Sequence, residues 1–271
     1  MIQTRTYGSS NAYRELILFN GVPVTGLIFE PTAVQLVERK NNLRVIVADL
    51  PGTGGSHLRD TSYSWSTQRD CIFEFLSGRQ DYYLLVHDAA GPVILPLLPQ
   101  LEGLEGIIIL NTVLKPTALD PPFPLNFMHN SRLAKPFARF TPFFYYNSRI
   151  RSLGVTHDER VGKEFMRRLF EDTKKNTGMA RLTEVMRGFE LSRRSDSLIA
   201  AGLADTRPQL VIWADEDPVL GDQYHYLTPG HRRRIVHHIP EAKHFFMLDF
   251  ATETATQITE WLSLVADIPI R

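Results

Sequence analysis

The sequence has little that would set it apart from an ordinary globular protein. It contains one cysteine, Cys71, which excludes an internal disulfide and favours a reducing compartment. Lys plus Arg and Asp plus Glu number 30 each, so no net charge would attract nucleic acid or an anionic membrane. No apolar run approaches the roughly 20 residues of a membrane span, and the first ten residues lack the apolar stretch of a secretory signal. We therefore expect a soluble cytoplasmic protein without nucleic-acid or membrane partners, whose oligomeric state, monomer or homodimer, stays open.

Short apolar runs alternate with helical patterns along most of the chain. Six runs have the residue types of strands: Leu16–Phe19, Arg44–Ala48, Tyr83–His87, Gly106–Leu110, Leu210–Ala214 and Arg234–Ile239. They are nearly continuous rather than alternating, which is typical of strands buried on both faces of a parallel sheet. Helical patterns occupy Pro31–Lys40, Ser64–Ser77 and Ala251–Leu262. This order predicts an α/β fold with a mostly parallel central sheet flanked by helices.

One long segment, Val113–Arg207, interrupts the alternation. It has no strand signal, its first half is rich in proline and aromatic residues, and helical patterns follow at Glu159–Glu171 and Thr183–Leu191. It carries 17 basic and 10 acidic residues, a net charge of +7. We expect residues 113–207 to form a helical cap over the sheet edge where α/β folds bind ligands, with residues 1–112 and 208–271 as the core domain. The basic excess is either a solvated helical surface or a feature that attracts an anionic substrate.

A tight turn after the Tyr83–His87 strand displays a carboxylate. The residues Val86–Gly91 read VHDAAG, and such a turn needs small residues around the one it displays. Ala90 and Gly91 provide room on the helix side, although Val86 is not small. Asp88 is therefore a candidate nucleophile, and its alternative role is to cap the next helix.

A second turn, Phe19–Pro23, follows the Leu16–Phe19 strand and reads FNGVP. Gly followed closely by Pro makes a sharp loop whose amides can point back towards Asp88. The amides of Val22 and Ala89 would then form an oxyanion hole. An ordinary turn is the alternative.

A glycine-rich segment, Asp49–Ser56, reads DLPGTGGS and resembles a phosphate-binding loop. No Gly-Lys-Ser/Thr follows it, and the spacing of a dinucleotide-binding loop is missing. A flexible turn after a strand is therefore the better interpretation.

Acidic residues and a histidine follow the last two strands. Asp215, Glu216 and Asp217 come after the Leu210–Ala214 strand, and His244 lies after the final strand, before the last helix. We choose Asp217 as the partner of His244, because it occupies the extended turn before a proline, and rank Glu216 last. The order of nucleophile, acid and histidine, each beyond a successive strand, is that of hydrolase catalytic sets. His87, beside Asp88, is interpreted as a hydrogen-bonded strand-end residue and not as a second base.

These motifs together resemble the α/β-hydrolases, and more narrowly the haloalkane dehalogenase and epoxide hydrolase group, whose nucleophile is an aspartate. The resemblance covers nearly the whole chain, through NGVP, DLPGTGGS, VHDAAG, DEDP and KHFFMLDF. It implies that Asp88 is the nucleophile, Asp217 the acid and His244 the base. It also places the amides of Val22 and Ala89 in the oxyanion hole, and it implies an α/β-hydrolase fold with a cap.

The chain departs from the pattern of that group at several positions. Asn20, a candidate substrate contact, replaces the usual His before the Gly, Ala90 replaces a Gly, and Lys243 replaces the Gly before the histidine. Haloalkane dehalogenases hold the halide with a Trp after the nucleophile and often an Asn in the oxyanion loop, positions that are Ala89 and Val22 here. Fluoroacetate dehalogenases carry an Arg after the nucleophile, which Ala89 cannot replace. Halide release is therefore the weaker interpretation.

Epoxide opening needs a proton donor for the ring oxygen, which cap tyrosines supply in epoxide hydrolases. The cap has two, Tyr145 and Tyr146. Adjacent residues of a helix face different ways, so we expect at most one to enter the site. Packing in an aromatic cluster is their alternative role.

We therefore expect a hydrolase that opens an epoxide or similar sp³ carbon through an Asp88 ester, which water activated by His244 then hydrolyses. No cofactor or metal is required, and the partner is a small molecule. Alternatives are dehalogenation, a hydrolase fold recruited as a ligand receptor, or lyase or cyclase chemistry in a biosynthetic pathway.

Overall fold

A seven-stranded sheet, parallel except at one edge, organises the chain. The computed structural model describes residues 1–40, 42–58, 62–121, 123–130, 133–227 and 229–266. The strands are β1 (Thr4–Tyr7), β2 (Arg14–Phe19), β3 (Leu43–Ala48), β4 (Tyr82–Asp88), β5 (Leu104–Thr112), β6 (Gln209–Ala214) and β7 (Arg234–Ile239). They lie in the order β1-β3-β2-β4-β5-β6-β7, and β1 pairs antiparallel with β3.

The central strands separate two hydrophobic cores, one on each face of the sheet. Successive side chains of a strand point to opposite faces. In β2, Leu16 and Leu18 join one core while Ile17 and Phe19 join the other. All six predicted strands are present, with small shifts at their ends. Strand β1 was not predicted, because TRTY is polar, only four residues long and partly exposed.

Helices cover both faces of the sheet and fill the segment between β5 and β6. They are α1 (Glu30–Arg39), α2 (Trp65–Leu76), α3 (Ala90–Ile94), α4 (Leu125–Asn130), α5 (Ala134–Arg139), α6 (Phe143–Gly154), α7 (Lys163–Lys174), α8 (Gly178–Arg187), α9 (Arg193–Leu203) and α10 (Ala251–Ala266). Ser64 begins α2 as a cap, because its hydroxyl accepts the Thr67 amide. Among the described helices, none has the length and apolar character needed to cross a membrane.

The cap region contains helices and no strand among its described residues, as the sequence predicts. Helices α7 and α8 correspond to the two helices predicted at Glu159–Glu171 and Thr183–Leu191. Their ends lie several residues from the predicted ends. Helix α9 behaves differently from the others, because it packs against the short helix Leu95–Gln100 of the core, with Gly202 against the Leu95 carbonyl. By these contacts α9 lies with the core, and we propose a cap that ends near Ser192, not at Arg207.

A buried cluster of charges connects the cap to the core. Arg5 of β1 donates to Asp49 Oδ1 at 2.9 Å and also pairs with Asp172 of α7. Asp172 accepts further bonds from the Thr25 hydroxyl at 2.6 Å and from Lys175 at 2.6 Å. Burial raises the pKa of Asp49. Burial also acts to raise the pKa of Asp172, but its bonds to Lys175 and Thr25 and the charge of Arg5 lower it overall.

Candidate active site

The turn between β4 and α3 places Asp88 in a backbone conformation that side-chain-bearing residues seldom adopt, with φ of +52°. The turn is crowded on both sides. A Cβ on Gly91 would lie 2.0 Å from Thr112 Oγ1, and one on Gly21 would lie 2.1 Å from Asp88 Oδ2. The Thr112 hydroxyl donates to the Asp88 carbonyl. Glycine at these two positions therefore lets neighbouring strands and loops close around the displayed carboxylate.

Two backbone amides bond that carboxylate. The Val22 N–H donates to Asp88 Oδ2 at 2.7 Å, and the Ala89 N–H also bonds the carboxylate. Burial raises the pKa of Asp88, against the opposing effects of His244 and the two amides. The alternative role as a helix cap is not found, because α3 begins without a side-chain capping bond. The structure thus brings together the three positions that the sequence assigns to nucleophile and oxyanion hole.

Asp217 meets His244 on the other side of the site. Its Oδ2 lies 2.8 Å from His244 Nδ1, and its Oδ1 accepts the amides of Val219 at 2.7 Å and Leu220 at 3.0 Å. Burial acts to raise the pKa of Asp217, but His244 and these amides lower it overall. These bonds fix the carboxylate against the imidazole.

The other two acidic residues of this turn do not reach the site. Glu216 is exposed, as is Asp215, whose carboxylate lies 2.6 Å from Nδ1 of His238. Asp217 is the buried member of the three. The structure thus places next to His244 the residue chosen from the sequence.

The free nitrogen of His244 faces Asp88. His244 Nε2 lies 4.0 Å from Asp88 Oδ1 and has no hydrogen-bond partner among the described residues, although the side chain is buried. Burial acts to lower the pKa of His244, but the charge and hydrogen bond of Asp217 and the charge of Asp88 raise it overall. The gap between the two atoms is suited to a water molecule that bonds to both.

Asn111 is a member of the site that the sequence analysis missed. Its amide nitrogen donates to Asp217 Oδ2 at 2.8 Å and to the Ala214 carbonyl at 3.1 Å, while its oxygen accepts the Ala214 amide at 2.7 Å. These bonds join the ends of β5 and β6 and orient Asp217. The available signal was a polar residue directly after the apolar run Gly106–Leu110.

His87 supports the loop that carries His244. Its Nε2 lies 3.0 Å from the His244 carbonyl and donates to it, and the two rings pack with centroids 4.7 Å apart. Burial, with the nearby His244, holds the pKa of His87 well below its usual value. The neutral ring fits the predicted supporting role and leaves His244 as the base beside Asp88.

A largely apolar cavity opens over the site, between the cap and the core. It encloses about 600 Å³, including its open mouth. Val22 and His244, which flank the Asp88 carboxylate, belong to its floor, and α6 forms one wall. Asp88 itself lies behind them with 6% of its surface exposed. No cluster of His, Cys, Asp or Glu side chains that could hold a metal occurs in the described part of the chain.

Both tyrosines of α6 line this cavity, which corrects the expectation that at most one enters. Helix α6 lies along the cavity wall and presents two adjacent rows of side chains. Two neighbouring residues can therefore both reach the cavity. The Tyr146 hydroxyl lies 3.2 Å from Thr173 Oγ1, whose own proton goes to the Leu169 carbonyl. Tyr146 is therefore the donor in that bond, and burial raises its pKa. The Tyr145 hydroxyl has no hydrogen-bond partner among the described residues.

Asn20 does not reach the cavity, contrary to its prediction as a substrate contact. Its amide nitrogen donates to the carbonyls of Gly21 and Val24, both at 2.7 Å, and to Thr53 Oγ1 at 3.2 Å. Its oxygen accepts the Leu50 amide at 3.0 Å. The fully buried side chain thus links the oxyanion-side turn to the glycine-rich turn, and its polar atoms are occupied.

The comparisons with known proteins agree with this architecture. A model of the alpha/beta hydrolase family matches residues 16–257, and the chain belongs to that family. No curated protein matched the chain by sequence.

Solved structures similar to this chain have three different activities in their names. An esterase from Thermogutta terrifontis is 20% identical with a TM-score of 0.74, covering 97% of this chain and 93% of its own. The Cif epoxide hydrolase from Acinetobacter nosocomialis is 14% identical with a TM-score of 0.78, covering 96% and 85%. The haloalkane dehalogenase DbeA from Bradyrhizobium elkani is 15% identical with a TM-score of 0.74, covering 98% and 94%. At these identities the likeness shows the fold alone.

Proposed function

We propose that this hydrolase opens an epoxide, or a similarly electrophilic sp³ carbon, through a covalent ester on Asp88. One observation carries the proposal. A carboxylate occupies the displayed position and accepts the amides of Val22 and Ala89, with Val22 on Oδ2. Its other oxygen, Oδ1, lies 4.0 Å from an imidazole nitrogen that has no partner among the described residues. A carboxylate needs no deprotonation before it displaces a leaving group at sp³ carbon, whereas acyl transfer calls for an alkoxide or thiolate.

In the first step, Asp88 Oδ1 attacks a ring carbon of the epoxide and the carbon–oxygen bond of the ring breaks. Oδ1 is the oxygen that the Val22 amide leaves free. The ring oxygen takes a proton from the Tyr145 hydroxyl, which lines the cavity and has no partner in the described structure. The products of this step are an Asp88 ester and a Tyr145 phenolate.

In the second step, His244 takes a proton from water as the water oxygen attacks the carbonyl carbon of the Asp88 ester. The negative charge then develops on Oδ2, next to the amides of Val22 and Ala89. Collapse of this intermediate releases the diol oxygen, which takes the proton from His244. The second water proton, left on the Asp88 carboxyl group, returns to the Tyr145 phenolate. The net reaction is epoxide plus water to vicinal diol.

The electrostatics of the site support this order of events. The charge of Asp88 helps to keep the pKa of His244 raised in the free enzyme. Esterification removes that charge, so the pKa of His244 falls at the stage when the imidazole must accept a proton. The base therefore becomes available once the nucleophile has reacted.

Dehalogenation has less support from the side chains present. A leaving halide needs N–H donors beside the nucleophile. Val22 and Ala89 offer only backbone amides, and both amides already bond Asp88. The labelling experiment that tests the ester route also tests dehalogenation and the ligand-receptor alternative.

The test is a single turnover in heavy-oxygen water with styrene oxide, with epoxyoctane and, in a parallel reaction, with a chloroalkane, each followed by mass spectrometry of the Asp88 peptide. We expect heavy oxygen in the Asp88 carboxylate and ordinary oxygen in the diol formed first. Diol formation without label in Asp88 would overturn the ester route. Failure to convert either epoxide, with label appearing only during chloroalkane turnover, would establish dehalogenation instead, and binding without any turnover would indicate a receptor.

The variant His244→Gln separates the two steps. We expect it to form the ester and then retain it, so the Asp88 peptide gains the mass of the substrate. His238→Gln is the matched control, because His238 is exposed and pairs with Asp215 at the surface. Continued rapid diol release by His244→Gln would contradict the role of His244 as the base.

A further inference from the structure

One cation lies on the wall of the otherwise apolar cavity. Arg149 is the one residue with a permanent charge among the described residues that line it. Its position follows from helix periodicity, because Tyr145, Arg149 and Leu153 are spaced by four and form one row of α6 that faces the cavity. Its stem is therefore part of the substrate-binding wall.

The guanidinium of Arg149 is incompletely satisfied. One terminal nitrogen donates to the Phe123 carbonyl at 2.7 Å, while Nε is buried without a hydrogen-bond partner. No described carboxylate forms an ion pair with it. Arg151, two residues further along α6, has the opposite character, because it pairs with Asp158 at 3.1 Å. A buried cationic N–H without an acceptor is costly, so an anion arriving in the cavity would gain a partner that the protein does not supply.

The location of Arg149 relative to the reacting atoms restricts where that anion belongs. The Leu153 carbonyl accepts the His244 amide at 3.4 Å, so this end of α6 lies against the loop of the catalytic histidine. Arg149 begins one helical turn, about 5.4 Å, further away. An anion held there is separated from the Asp88 carboxylate, which would repel it at closer range.

We propose that Arg149 is an anion-binding subsite, and that the preferred substrate is an apolar epoxide that carries a carboxylate at the end remote from the ring. This inference rests on the proposed function for the epoxide group, whereas the carboxylate subsite itself is independent of it. The apolar walls accept the hydrocarbon body, and the fork of Arg149 accepts the carboxylate.

The first test measures binding without chemistry, by calorimetry with octanoate, methyl octanoate and octanol. We expect Arg149→Met to weaken octanoate binding about tenfold more than octanol binding, which corresponds to the loss of one charge-assisted contact. Arg149→Lys should retain part of the affinity because it keeps the charge. Retained octanol binding shows that the Met variant is folded.

The matched control is Arg139→Met, which removes an equal charge from an exposed position of the cap outside the cavity. We expect it to leave octanoate binding unchanged. Equal octanoate affinity in the wild type and Arg149→Met would overturn the subsite. An equal loss in Arg139→Met would also overturn it, because the effect would then come from the general positive field of the cap.

The second test compares kcat/KM for epoxyoctane and for the octanoate that carries an epoxide at its far end. We expect Arg149→Met to lower kcat/KM for the epoxide that carries the carboxylate about tenfold more than kcat/KM for epoxyoctane. Octanoate binding that depends on Arg149, together with no epoxide turnover, supports the subsite and contradicts the proposed function. Epoxide turnover that is indifferent to Arg149 and to the carboxylate contradicts the subsite and leaves the proposed function intact.

Discussion

Asn111 donates its amide proton to Asp217 Oδ2, the same carboxylate oxygen that bonds the imidazole of His244. Because Oδ2 of Asp217 accepts both bonds, rotating the carboxylate would break both of them. The carboxylate of Asp217 is therefore held in one orientation. Its other oxygen is held by the two amides of the following turn. Asn111 is thus a positioning residue for the proposed base, although it forms no hydrogen bond to His244 and is not among the described residues that line the cavity.

Replacing this residue should therefore slow one step of the reaction more than the other. We expect Asn111→Leu to reduce the rate of ester hydrolysis about 10- to 100-fold, the equivalent of a lost hydrogen bond to a charged group. Formation of the ester by Asp88 should change little, because that step does not use Asp217. Rapid-mixing mass spectrometry of the Asp88 peptide measures both rates. Equal slowing of both steps would indicate general structural damage instead.

The close approach of Gly21 to Asp88 predicts a strong effect of a single methyl group. The Cβ of Gly21→Ala would meet Asp88 Oδ2 at 2.1 Å, so the loop or the carboxylate must move. We expect a destabilisation of about 1–3 kcal/mol together with a large loss of turnover. Gly162→Ala is the matched control, because nothing lies within 4 Å of its Cβ position. Urea denaturation and turnover of styrene oxide measure the two effects, and a fully active Gly21→Ala would refute the contact.

The two cap tyrosines should respond differently to loss of their hydroxyl groups. Tyr146 already donates to Thr173, whereas Tyr145 has no described partner. We expect Tyr145→Phe to slow ester formation from epoxides by about 100-fold or more, the usual loss of a general acid. Tyr146→Phe should chiefly cost about 1 kcal/mol of stability, from the bond to Thr173. If Tyr146→Phe slowed ester formation more than Tyr145→Phe, Tyr146 would be the donor of the proton to the ring oxygen.

The neutral, buried ring of His87 predicts loss of stability in mild acid. Its pKa is lowered in the folded state from an unfolded value near 6.5, so the unfolded chain binds more protons as the pH falls below that value. The contribution of His87 is fully present above about pH 6.5 and is lost at up to about 1.4 kcal/mol per pH unit below it.

The variant His87→Gln isolates this contribution, because the glutamine can still donate to the His244 carbonyl and does not titrate. We expect its urea midpoint to fall less steeply than that of the wild type between about pH 7 and pH 5. His244, with its raised pKa, acts in the opposite direction in both proteins. If the urea midpoints of the two proteins fell equally with pH, the His87 ring would either be protonated already in the wild type or become exposed to solvent before it titrates.

The sequence predicted the sheet and the central site because both depend on local patterns. Strands buried on both faces are continuous apolar runs, and residues that follow parallel strands share one edge of the sheet. Asp88, Asp217 and His244 were therefore expected together, and the structure brings them together. Their catalytic roles stay proposals until the labelling experiment is done.

The parts that could not be predicted depend on contacts between distant segments. The short polar strand Thr4–Tyr7 exists because β3 offers it an edge, and its own residues carry no strand pattern. Both Tyr145 and Tyr146 reach the cavity because α6 forms its wall, and periodicity within the helix cannot specify that position. From its position in the motif, Asn20 was expected to contact the substrate. Its carboxamide oxygen instead accepts the amide of Leu50, 30 residues away in the chain.

The charge cluster around Asp172 also restricts how molecules enter and leave. Lifting α7 from the core would separate Asp172 from Arg5 and Thr25 and break the bonds between them. We therefore expect substrate and product to pass beside α5, whose Phe137 lines the cavity and remains partly exposed. Substitutions at Phe137 should then alter the rate of product release without touching the reacting atoms.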